Sequence, residues 1–494
     1  MRISILFLFF VNLGTVISSQ YYIWHWHMRH EFDQSSLNAL SKIPIKGVFY
    51  RTGHFSYPLN QPRFSTLAKS SGFLKKFRNL KTFQEIHLAY SFGNSGLDPF
   101  VRKYLNDRPA KATQWISERI IEDFSLYRSL NPRVVGIQID LEGVGIDFDV
   151  YGRLLERLRE GIPKVLISIT PMSSWIKRKG FKALSSHVDL LVPMLYDFQR
   201  SRVANAPLKV TDLHWLEKMV KLYDQAGKPV IYGLPTYSYC IVYDESGKMR
   251  LSWALISPDS VTQNPRLSKA QMTYNESKGP LKLTRTRDRV LTFEVEEKLK
   301  FSNLAFGKGS RVKYNFLSPS SVAQYLTAIE NTPSQWGRGV GFFRFGVPGE
   351  ALVLDAWRLK EAVRQSFGTK VKVQAEVFFV SATEFFLAFT NLGRPTYFGK
   401  TGYQLSLPGK VDAPLHSRGD FDRVLRIKEN QSTKLILEED YFDRREMLIS
   451  PLLKLNGAGK TPLPIKITFE RSDGITVPLN WEIQRDEETR ILTR

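Results

Sequence analysis

The stretch VVGIQIDLEG, residues 134–143, is an apolar run in which every second residue near the end is polar. Because side chains alternate across a strand, Gln138, Asp140 and Glu142 project to one face and the intervening apolar residues to the other. A parallel strand covered on both faces is expected to be almost continuously apolar, so this polar row predicts a functional site. Two carboxyl groups one pleat apart push their pKa values apart, which keeps one protonated as an acid. The alternative is a surface edge strand, or acids that cap the next helix.

Seven further short apolar runs occur along the chain, and helical patterns fill most of the gaps between the runs. The eight predicted strands are residues 21–27, 47–51, 85–91, 134–141, 165–170, 190–195, 230–234 and 340–345. The predicted helices are residues 112–130, 150–160, 175–186, 211–226, 320–329 and 351–367. Regular alternation of strand and helix predicts an α/β protein with a parallel (β/α)8 barrel, whose chemistry lies at the carboxyl ends of the strands.

The barrel interpretation requires polar or aromatic residues at the other strand ends, and the sequence has them. They are Trp24 and Trp26 on the first strand, Tyr50 on the second, Tyr90 on the third, Thr170 on the fifth, Tyr196 and Asp197 after the sixth, Tyr237 after the seventh and Arg344 on the eighth. Aromatic rings offer flat apolar faces with a polar rim, a shape suited to sugar rings. Any one of them is explained equally well by core packing. Their coincidence predicts a sugar-binding surface, which would also include Gln138.

Two further regions depart from the alternating pattern. Residues 238–316 have little helical periodicity and begin with a hairpin pattern, which predicts an inserted β subdomain beside the cleft; a decorative excursion is the alternative. Over residues 370–494, short β-branched and aromatic runs follow one another without helices, which predicts an antiparallel β sandwich. We therefore expect a barrel domain over residues 20–368 and a separate carbohydrate-binding or packing domain after it.

The N-terminal residues 1–19 combine Arg2, a short apolar core and small residues, the pattern of a secretory signal peptide. A secreted or periplasmic protein is therefore expected, and a retained anchor helix is the alternative. The chain has a single cysteine, Cys240, which excludes an internal disulfide framework.

The 494-residue chain is strongly basic, with a net charge of +22. Such a surface favours polyanions, including the anionic face of a cell envelope. The basic residues are dispersed, and no zinc-finger spacing, RNA-binding aromatic motif or phosphate-binding loop accompanies them, so nucleic acid is not an expected partner. The motif Trp-His-Trp-His at residues 24–27 could offer metal ligands, but a third ligand is missing from the pattern. No metal and no cofactor are expected, and the oligomeric state is left open.

Two motifs carry a resemblance to a known family. Ile139-Asp140-Leu141-Glu142, together with Met194-Leu195-Tyr196-Asp197, resembles the chitinase-type glycoside hydrolases of family eighteen. Residues 136–170 together with Pro193-Met194 are more similar to the bacterial group catalogued as domain of unknown function 3142. The likeness covers about residues 20–360 and implies the same barrel fold.

The resemblance implies a role for each matching residue. Glu142 would protonate the glycosidic oxygen, and Asp140 would orient a 2-acetamido group whose carbonyl attacks the anomeric carbon, a substrate-assisted retaining mechanism. Tyr196 would hold that acetamide and Asp197 would assist. The fuller family motif has acids where this chain has Val135 and Gln138.

Three functions follow from these observations. The first is a secreted or periplasmic glycoside hydrolase whose substrate is an envelope or extracellular glycan, with acetamido sugars if the mechanism is substrate-assisted. The second is a lectin-like barrel that binds glycan without cleaving it, since Val135 and Gln138 would mark a decayed centre. The third is a structural protein of the envelope. A serine-hydrolase elbow, Gly-x-Ser-x-Gly, is absent from the sequence.

Overall fold

The structure is a computed structural model in which part of the chain is described. The described residues are 20–28, 32–93, 95, 98–143, 145–199, 201–252, 266, 271–278, 285–301, 304–347, 350, 352–364, 373–381, 384–391, 397–408, 411–412, 423–428, 432–442, 447–455, 466–470 and 476–480. The predicted signal peptide at residues 1–19 lies outside this set. Within it, every helix is too short or too polar to cross a lipid bilayer.

Eight parallel strands close into a barrel. They are β1 (Tyr21–His25), β2 (Ile45–Ser56), β4 (Glu85–Phe92), β5 (Val134–Asp140), β6 (Leu166–Ile169), β7 (Leu190–Leu191), β8 (Val230–Pro235) and β16 (Gly337–Phe343). Each pairs with the next in this order, and β1 pairs with both β2 and β16, which completes the ring. A short strand, β3 (Arg63–Thr66), pairs antiparallel with β2.

Helices surround the barrel, and several begin at side-chain caps. They are α1 (Gln34–Leu40), α2 (Ser71–Arg78), α3 (Pro109–Leu130), α4 (Phe148–Gly161), α5 (Phe181–Ser186), α6 (Leu213–Asp224), α7 (Pro319–Glu330) and α8 (Ala356–Arg364). Asp147 accepts from the backbone N–H groups of the first turn of α4, and Ser318 caps α7 ahead of Pro319 in the same way. Short 3-10 turns lie at Pro58–Asn60, Leu67–Lys69 and Trp175–Lys177, and a π-helical turn spans Val101–Leu105.

Two predicted elements are interrupted, each because of one residue. The strand predicted at residues 190–195 stops after Leu191, because Pro193 has no N–H to donate to a neighbouring strand; Met194 continues the pairing only as isolated bridges. The helix predicted at residues 175–186 is interrupted by Gly180, whose φ of +90° ends one turn before the next begins.

The apolar core has two layers. Inside the barrel, Tyr22, Trp24, Phe49, Leu190, Val192 and Ile231 pack together. A larger cluster fills the space between the strands and the helices. The indole of Trp24 occupies its place because Gly341 has no side chain: a Cβ there would lie 2.7 Å from Trp24 Cζ3. At Gly233 the close contact of a Cβ would be with the backbone oxygen of Pro193, at 2.8 Å, and not with the indole.

The segment after β8 is rich in strands, as predicted. β9 (Tyr239–Tyr243) pairs antiparallel with β10 (Met249–Ser252) and with β15 (Arg311–Phe316). The same segment contains β11 (Gln271–Lys278), β12 (Arg285–Glu294) and the paired strands β13 (Leu299–Phe301) and β14 (Leu304–Phe306).

The chain divides into two compact units. The first runs to Arg364 without residues 271–274 and 288–291, and the second consists of those short segments and residues 365–494. The strands of the C-terminal region form two antiparallel sheets. One contains β17 (Val373–Phe379), β18 (Glu384–Asn391), β20 (Val411–Asp412), β23 (Met447–Ile449) and β24 (Leu453–Leu455), and the other contains β19 (Tyr397–Pro408), β21 (Arg423–Lys428), β22 (Ser432–Phe442), β25 (Lys466–Glu470) and β26 (Thr476–Asn480). The predicted fold class, a (β/α)8 barrel followed by antiparallel β structure, is confirmed.

Candidate functional site

The two carboxyl groups singled out in the sequence lie together at the carboxyl end of β5. Asp140 is the last residue of the strand and is 6% exposed, whereas Glu142, two residues later, is only half-buried. Their side chains are hydrogen-bonded to each other. Thr170, which follows β6, donates from Oγ1 to Asp140 Oδ1 over 2.6 Å. We call Asp140 and Glu142 the acid pair.

The surroundings of the acid pair favour a proton on Glu142. Burial raises the pKa of Glu142 well above its usual range, and the negative charges of Asp140 and Asp197 act in the same direction. Burial also raises the pKa of Asp140, but the hydrogen bonds from Thr170 and Glu142 and the positive charge of Arg51 oppose that rise. The surroundings therefore favour the proton on Glu142, which is half-exposed, over Asp140, which is buried.

A cluster of aromatic rings begins beside the acid pair with Tyr196, whose hydroxyl is close enough for the charges of both carboxyl groups to raise its pKa. Tyr196 stacks on Phe343, with ring centroids 5.1 Å apart and planes within 15°. Trp26 and Tyr237 approach the same Phe343 edge-on, at 5.4 and 6.0 Å. All four residues are half-buried, so parts of their rings can be reached from solvent. We call Trp26, Tyr196, Tyr237 and Phe343 the aromatic rim; its flat apolar faces suit a sugar ring.

Asp197 is the exposed member of the site. Its Oδ1 accepts hydrogen bonds from the hydroxyl groups of both Tyr237 and Tyr239. Its φ of +58° places it in the left-handed region, which aspartate tolerates better than most residues. The carboxylate thus ties the loop after β7 to the segment around β9 and contributes negative charge that acts on Glu142.

Trp24 and Gln138 lie beneath the acid pair and not on its accessible side. Trp24 is 1% exposed and Gln138 is completely buried. The indole Nε1 of Trp24 donates to Gln138 Oε1 over 2.5 Å, and the indole stacks on Phe49 at 4.7 Å. The sequence analysis expected both residues to contact sugar, whereas in the structure they form the closed floor below the site.

Tyr50 and Tyr90, also expected at the sugar surface, point into the helical layer. The Tyr50 ring packs against Phe73, and the Tyr90 hydroxyl donates to Asp123 on α3 over 3.0 Å. Both tyrosines are at most 3% exposed. Strand alternation therefore turns their neighbours, not the tyrosines, toward the barrel interior.

Arg344 lies at the edge of the site but is already paired. Its guanidinium forms an ion pair with Glu350 and contacts His27. Glu350 also accepts from the backbone N–H of Val347 over 3.1 Å. The side chain of Arg344 is 12% exposed, so it joins the segments after β1 and β16 and does not extend into solvent.

Sequence reasoning missed two residues of the site, Arg51 and Phe343. Each adjoins a residue that was chosen, Tyr50 and Arg344. The signal that could have found Arg51 is the alternation in β2, where Phe49 belongs to the barrel interior and Arg51 shares its parity. A register shift between Arg51 and Gly53 then exchanges the inward and outward faces further along the strand. In the sequence, the only sign of this shift is the glycine.

The structure identifies no group of three or more His, Cys, Asp or Glu residues able to hold a metal ion, within the residues it describes. The acid pair and the aromatic rim can supply proton donation by Glu142, charge stabilisation by Asp140 and stacking of a flat ring.

Solved structures similar to this chain include family-18 chitinases and related glycosylases. A chitinase from Chromobacterium violaceum ATCC 12472 is 13% identical over 72% of this chain and 100% of its own, with a TM-score of 0.48. A family GH18 chitinase from Chromobacterium violaceum is 12% identical over 94% and 92%, with a TM-score of 0.43. The spore cortex-lytic enzyme SleL of Bacillus cereus is 13% identical over 70% and 74%, with a TM-score of 0.42. Likenesses this distant carry no information about activity.

No protein-family model and no curated protein matches the chain. The resemblance to domain of unknown function 3142 therefore stays a prediction from the sequence.

Proposed function

We propose that this protein is a glycoside hydrolase in which Glu142 is the general acid. One observation carries the proposal: a carboxyl group whose pKa is raised by burial and by the charge of Asp140 lies half-exposed beside the aromatic rim. A glycosidic oxygen is a poor leaving group until it is protonated, and an acid that keeps its proton near neutral pH is what that step requires. The rim offers stacking faces for the ring that carries the scissile bond.

The spacing of the acid pair favours participation by the substrate. In the paired-carboxylate mechanisms the two carboxyl groups stand about 5–9.5 Å apart on either side of the scissile bond. Asp140 and Glu142 are hydrogen-bonded to each other and cannot straddle a sugar in that way. The nucleophile must then come from elsewhere, and the carbonyl of a 2-acetamido group on the sugar supplies one. We therefore propose an acetamido glycan as the substrate and retention of configuration as the outcome.

Each residue then has a defined part in the reaction. Glu142 gives its proton to the leaving oxygen, while the acetamido carbonyl oxygen bonds to the anomeric carbon and closes a cyclic cation. Asp140, held by Thr170, stabilises the positive charge that develops on the acetamido nitrogen. Tyr196 supports the sugar by its ring, and Asp197 keeps negative charge near Glu142. Water then opens the cyclic cation, with Glu142 acting as base.

The test is an assay of the purified protein on chitin oligosaccharides and on peptidoglycan, with a glucan that lacks acetamido groups as the control substrate. Mass spectrometry of the products should reveal cleavage of an acetamido glycan and no cleavage of the glucan. Glu142→Gln should lower turnover by about 10²- to 10⁴-fold, because it removes the proton donor and preserves the shape of the side chain. Binding without turnover by the wild type would replace this proposal with the lectin-like function, and cleavage of the glucan would exclude substrate assistance.

We further propose that the protein acts outside the cytoplasm on an envelope or extracellular glycan, with residues 1–19 as a signal peptide. Its net charge of +22 suits a polyanionic envelope surface. N-terminal sequencing of the protein recovered from cell fractions tests this: a mature chain that begins near residue 20 supports it, and an intact Met1 in the cytoplasmic fraction contradicts it.

A further inference from the structure

Arg51 is a charged residue of the site that neither the motif nor the proposed chemistry uses. It lies on β2 and is half-buried. Its Nε donates to Ser91 Oγ over 2.8 Å, and its guanidinium stacks on the Trp26 ring at 4.5 Å from the centroid. A guanidinium that is partly removed from water and held from two sides has a fixed position, unlike an arginine on an open surface.

The tether of Arg51 lies next to the acid pair. Ser91 is the register partner of Asp140 across β4 and β5, so the two side chains share the inner face of the sheet. Ser91 is 4% exposed, and its Oγ also lies 2.9 Å from His54 Nδ1. Burial and the charge of Arg51 lower the pKa of His54, so this imidazole is neutral at physiological pH. The positive charge that reaches Asp140 is therefore that of Arg51.

The residue below Asp140 on the same strand cannot perform this task. Gln138 carries an amide that does not titrate, and its Oε1 is occupied by the Trp24 indole. A carboxyl group at that position could exchange a proton with Asp140, but Gln138 cannot. Negative charge at Asp140 is then stabilised from the two flanking sides, by the Thr170 hydroxyl after β6 and by the Arg51 charge on β2.

We propose that Arg51 is a positioning residue of this site: its guanidinium, anchored by Ser91 and Trp26, keeps the negative charge of the acid pair on Asp140 and so leaves the proton on Glu142. The inference rests on the proposed function. The proposal adds two points to that function. The fuller motif of the resembling family has acids at the positions of Val135 and Gln138, whereas this chain has a fixed cation on the neighbouring strand β2. Arg51 acts on the reaction through Asp140 and does not touch the substrate.

Several other groups face the acid pair, and the experiment must account for them. Asp140 is approached by Thr170 and Glu142 as hydrogen-bond partners and by Arg51 as a charge. The negative charge of Asp197 raises the pKa of Glu142. The charges of both carboxyl groups of the pair raise the pKa of the Tyr151 and Tyr196 hydroxyl groups. On the far side of Arg51, His54 lies 3.7 Å from Asp98. Substitution of Arg51 leaves these side chains in place, but it also removes the charge that lowers the pKa of His54, so His54 is followed in the same titration.

The test follows the ionisation of Asp140 directly, in a Glu142→Gln background that removes the other carboxyl group of the pair. Carbon-13 NMR of labelled aspartate side chains reports the pH at the midpoint of the Asp140 titration. The Asp140 signal is assigned by comparison with Asp140→Asn. Arg51→Met should move the midpoint of the Asp140 titration to higher pH. Arg51→Lys should move the midpoint much of the way back, because it returns a positive charge. Arg178→Met is the matched control, because Arg178 also stacks on a ring, that of Phe148 at 4.1 Å, but is not among the charges that act on Asp140.

Turnover provides a second readout in proteins that retain Glu142. The acidic limb of the kcat/KM profile should move to higher pH in Arg51→Met, with a loss of about tenfold at acidic pH for each pH unit that the limb moves. If Arg51→Met does not fold, Arg51→Gln takes its place. The proposal is overturned if the midpoint of Asp140 is unchanged in either folded variant, or if Asp140 is still protonated at neutral pH with Arg51 present. Because NMR needs no turnover, these outcomes are separate from failure of the proposed hydrolase function.

Discussion

Thr170 Oγ1 donates a 2.6 Å hydrogen bond to Asp140 Oδ1, and both groups are nearly inaccessible to solvent. The threonine on the neighbouring strand therefore fixes the buried member of the acid pair from the side opposite Ser91. A hydrogen bond to a charged group contributes about 1.5–3 kcal/mol, so its loss should be visible both in stability and in rate.

Thr170→Val should lower kcat by about 10- to 100-fold with little change in KM, since it removes the hydroxyl and keeps the volume. Thr170→Ser should recover most of the activity. Thr211→Val is the control, because Thr211 is also buried and its hydroxyl has no hydrogen-bond partner within the described part of the chain. Steady-state kinetics on the substrate identified above decides the matter, and equal losses in the valine variants at both positions would contradict it.

Asp197→Asn should move the alkaline limb of the kcat/KM profile to lower pH. The negative charge of Asp197 raises the pKa of Glu142, so an uncharged amide lets Glu142 lose its proton earlier as the pH rises. Asp244→Asn, in a hairpin turn, is the control and should leave the limb in place. An alkaline limb that stays where it is in Asp197→Asn would show that this charge does not reach Glu142.

The buried carboxyl group of Asp123 should make the free energy of unfolding depend on pH, independently of catalysis. Burial raises its pKa from 3.8 to about 6, despite hydrogen bonds from Thr66 and Tyr90. The folded protein therefore holds a proton that the unfolded chain has released, and this contribution is complete below pH 3.8 and lost as the pH rises through about 6. Its size is at most about 3 kcal/mol.

Chemical denaturation between pH 4 and pH 7 measures this effect as the difference in free energy of unfolding between the wild type and Asp123→Asn. The wild type should lose stability relative to the variant as the pH rises. Glu118→Gln, an exposed substitution on the same helix, serves as the control and should give parallel curves. A difference that grows in the opposite direction would mean that Asp123 is ionised in the folded protein at low pH.

Trp24→Phe should cost stability and not glycan affinity. The substitution leaves Gln138 Oε1 without its buried donor, which costs about 1–3 kcal/mol of unfolding free energy. Trp26→Ala should do the reverse and weaken glycan binding several-fold, by about the 0.5–1.5 kcal/mol that aromatic contacts contribute. Denaturation curves and calorimetric titration of each variant separate the two tryptophans. Reduced affinity in Trp24→Phe at unchanged stability would place the ligand deeper than we propose.

The sequence predicted the barrel well because each of its signals is local. The alternating pattern at Gln138, Asp140 and Glu142 is a property of one strand, and the helices between strands follow from apolar periodicity. The predicted position of Tyr50 and Tyr90 was less successful for a physical reason. Which face of a strand points inward depends on register and on bulges, such as the shift between Arg51 and Gly53, and a shift of one residue exchanges the two faces.

Other parts of the site depend on contacts between residues far apart in the chain. Three such contacts join different strands or loops. They are the ion pair of Arg344 with Glu350, the hydrogen bonds that Asp197 accepts from Tyr237 and Tyr239, and the hydrogen bond from Arg51 to Ser91. Nothing in the spacing of these residues announces that they meet. The roles proposed for Glu142, Asp140, Tyr196 and Asp197 stay predictions that the experiments above address.

The fit of the Trp24 indole against Gly341 also constrains which substitutions this chain can accept. Any side chain at residue 341 would collide with the indole, so a mutation there is tolerated only in a lineage that has first lost the bulk of Trp24. Loss of that bulk leaves a void inside the barrel that a later alanine at residue 341 could fill. Trp24 and Gly341 are therefore expected to change as suppressors of one another, and the order of their replacement becomes a record of the path that a descendant sequence has taken.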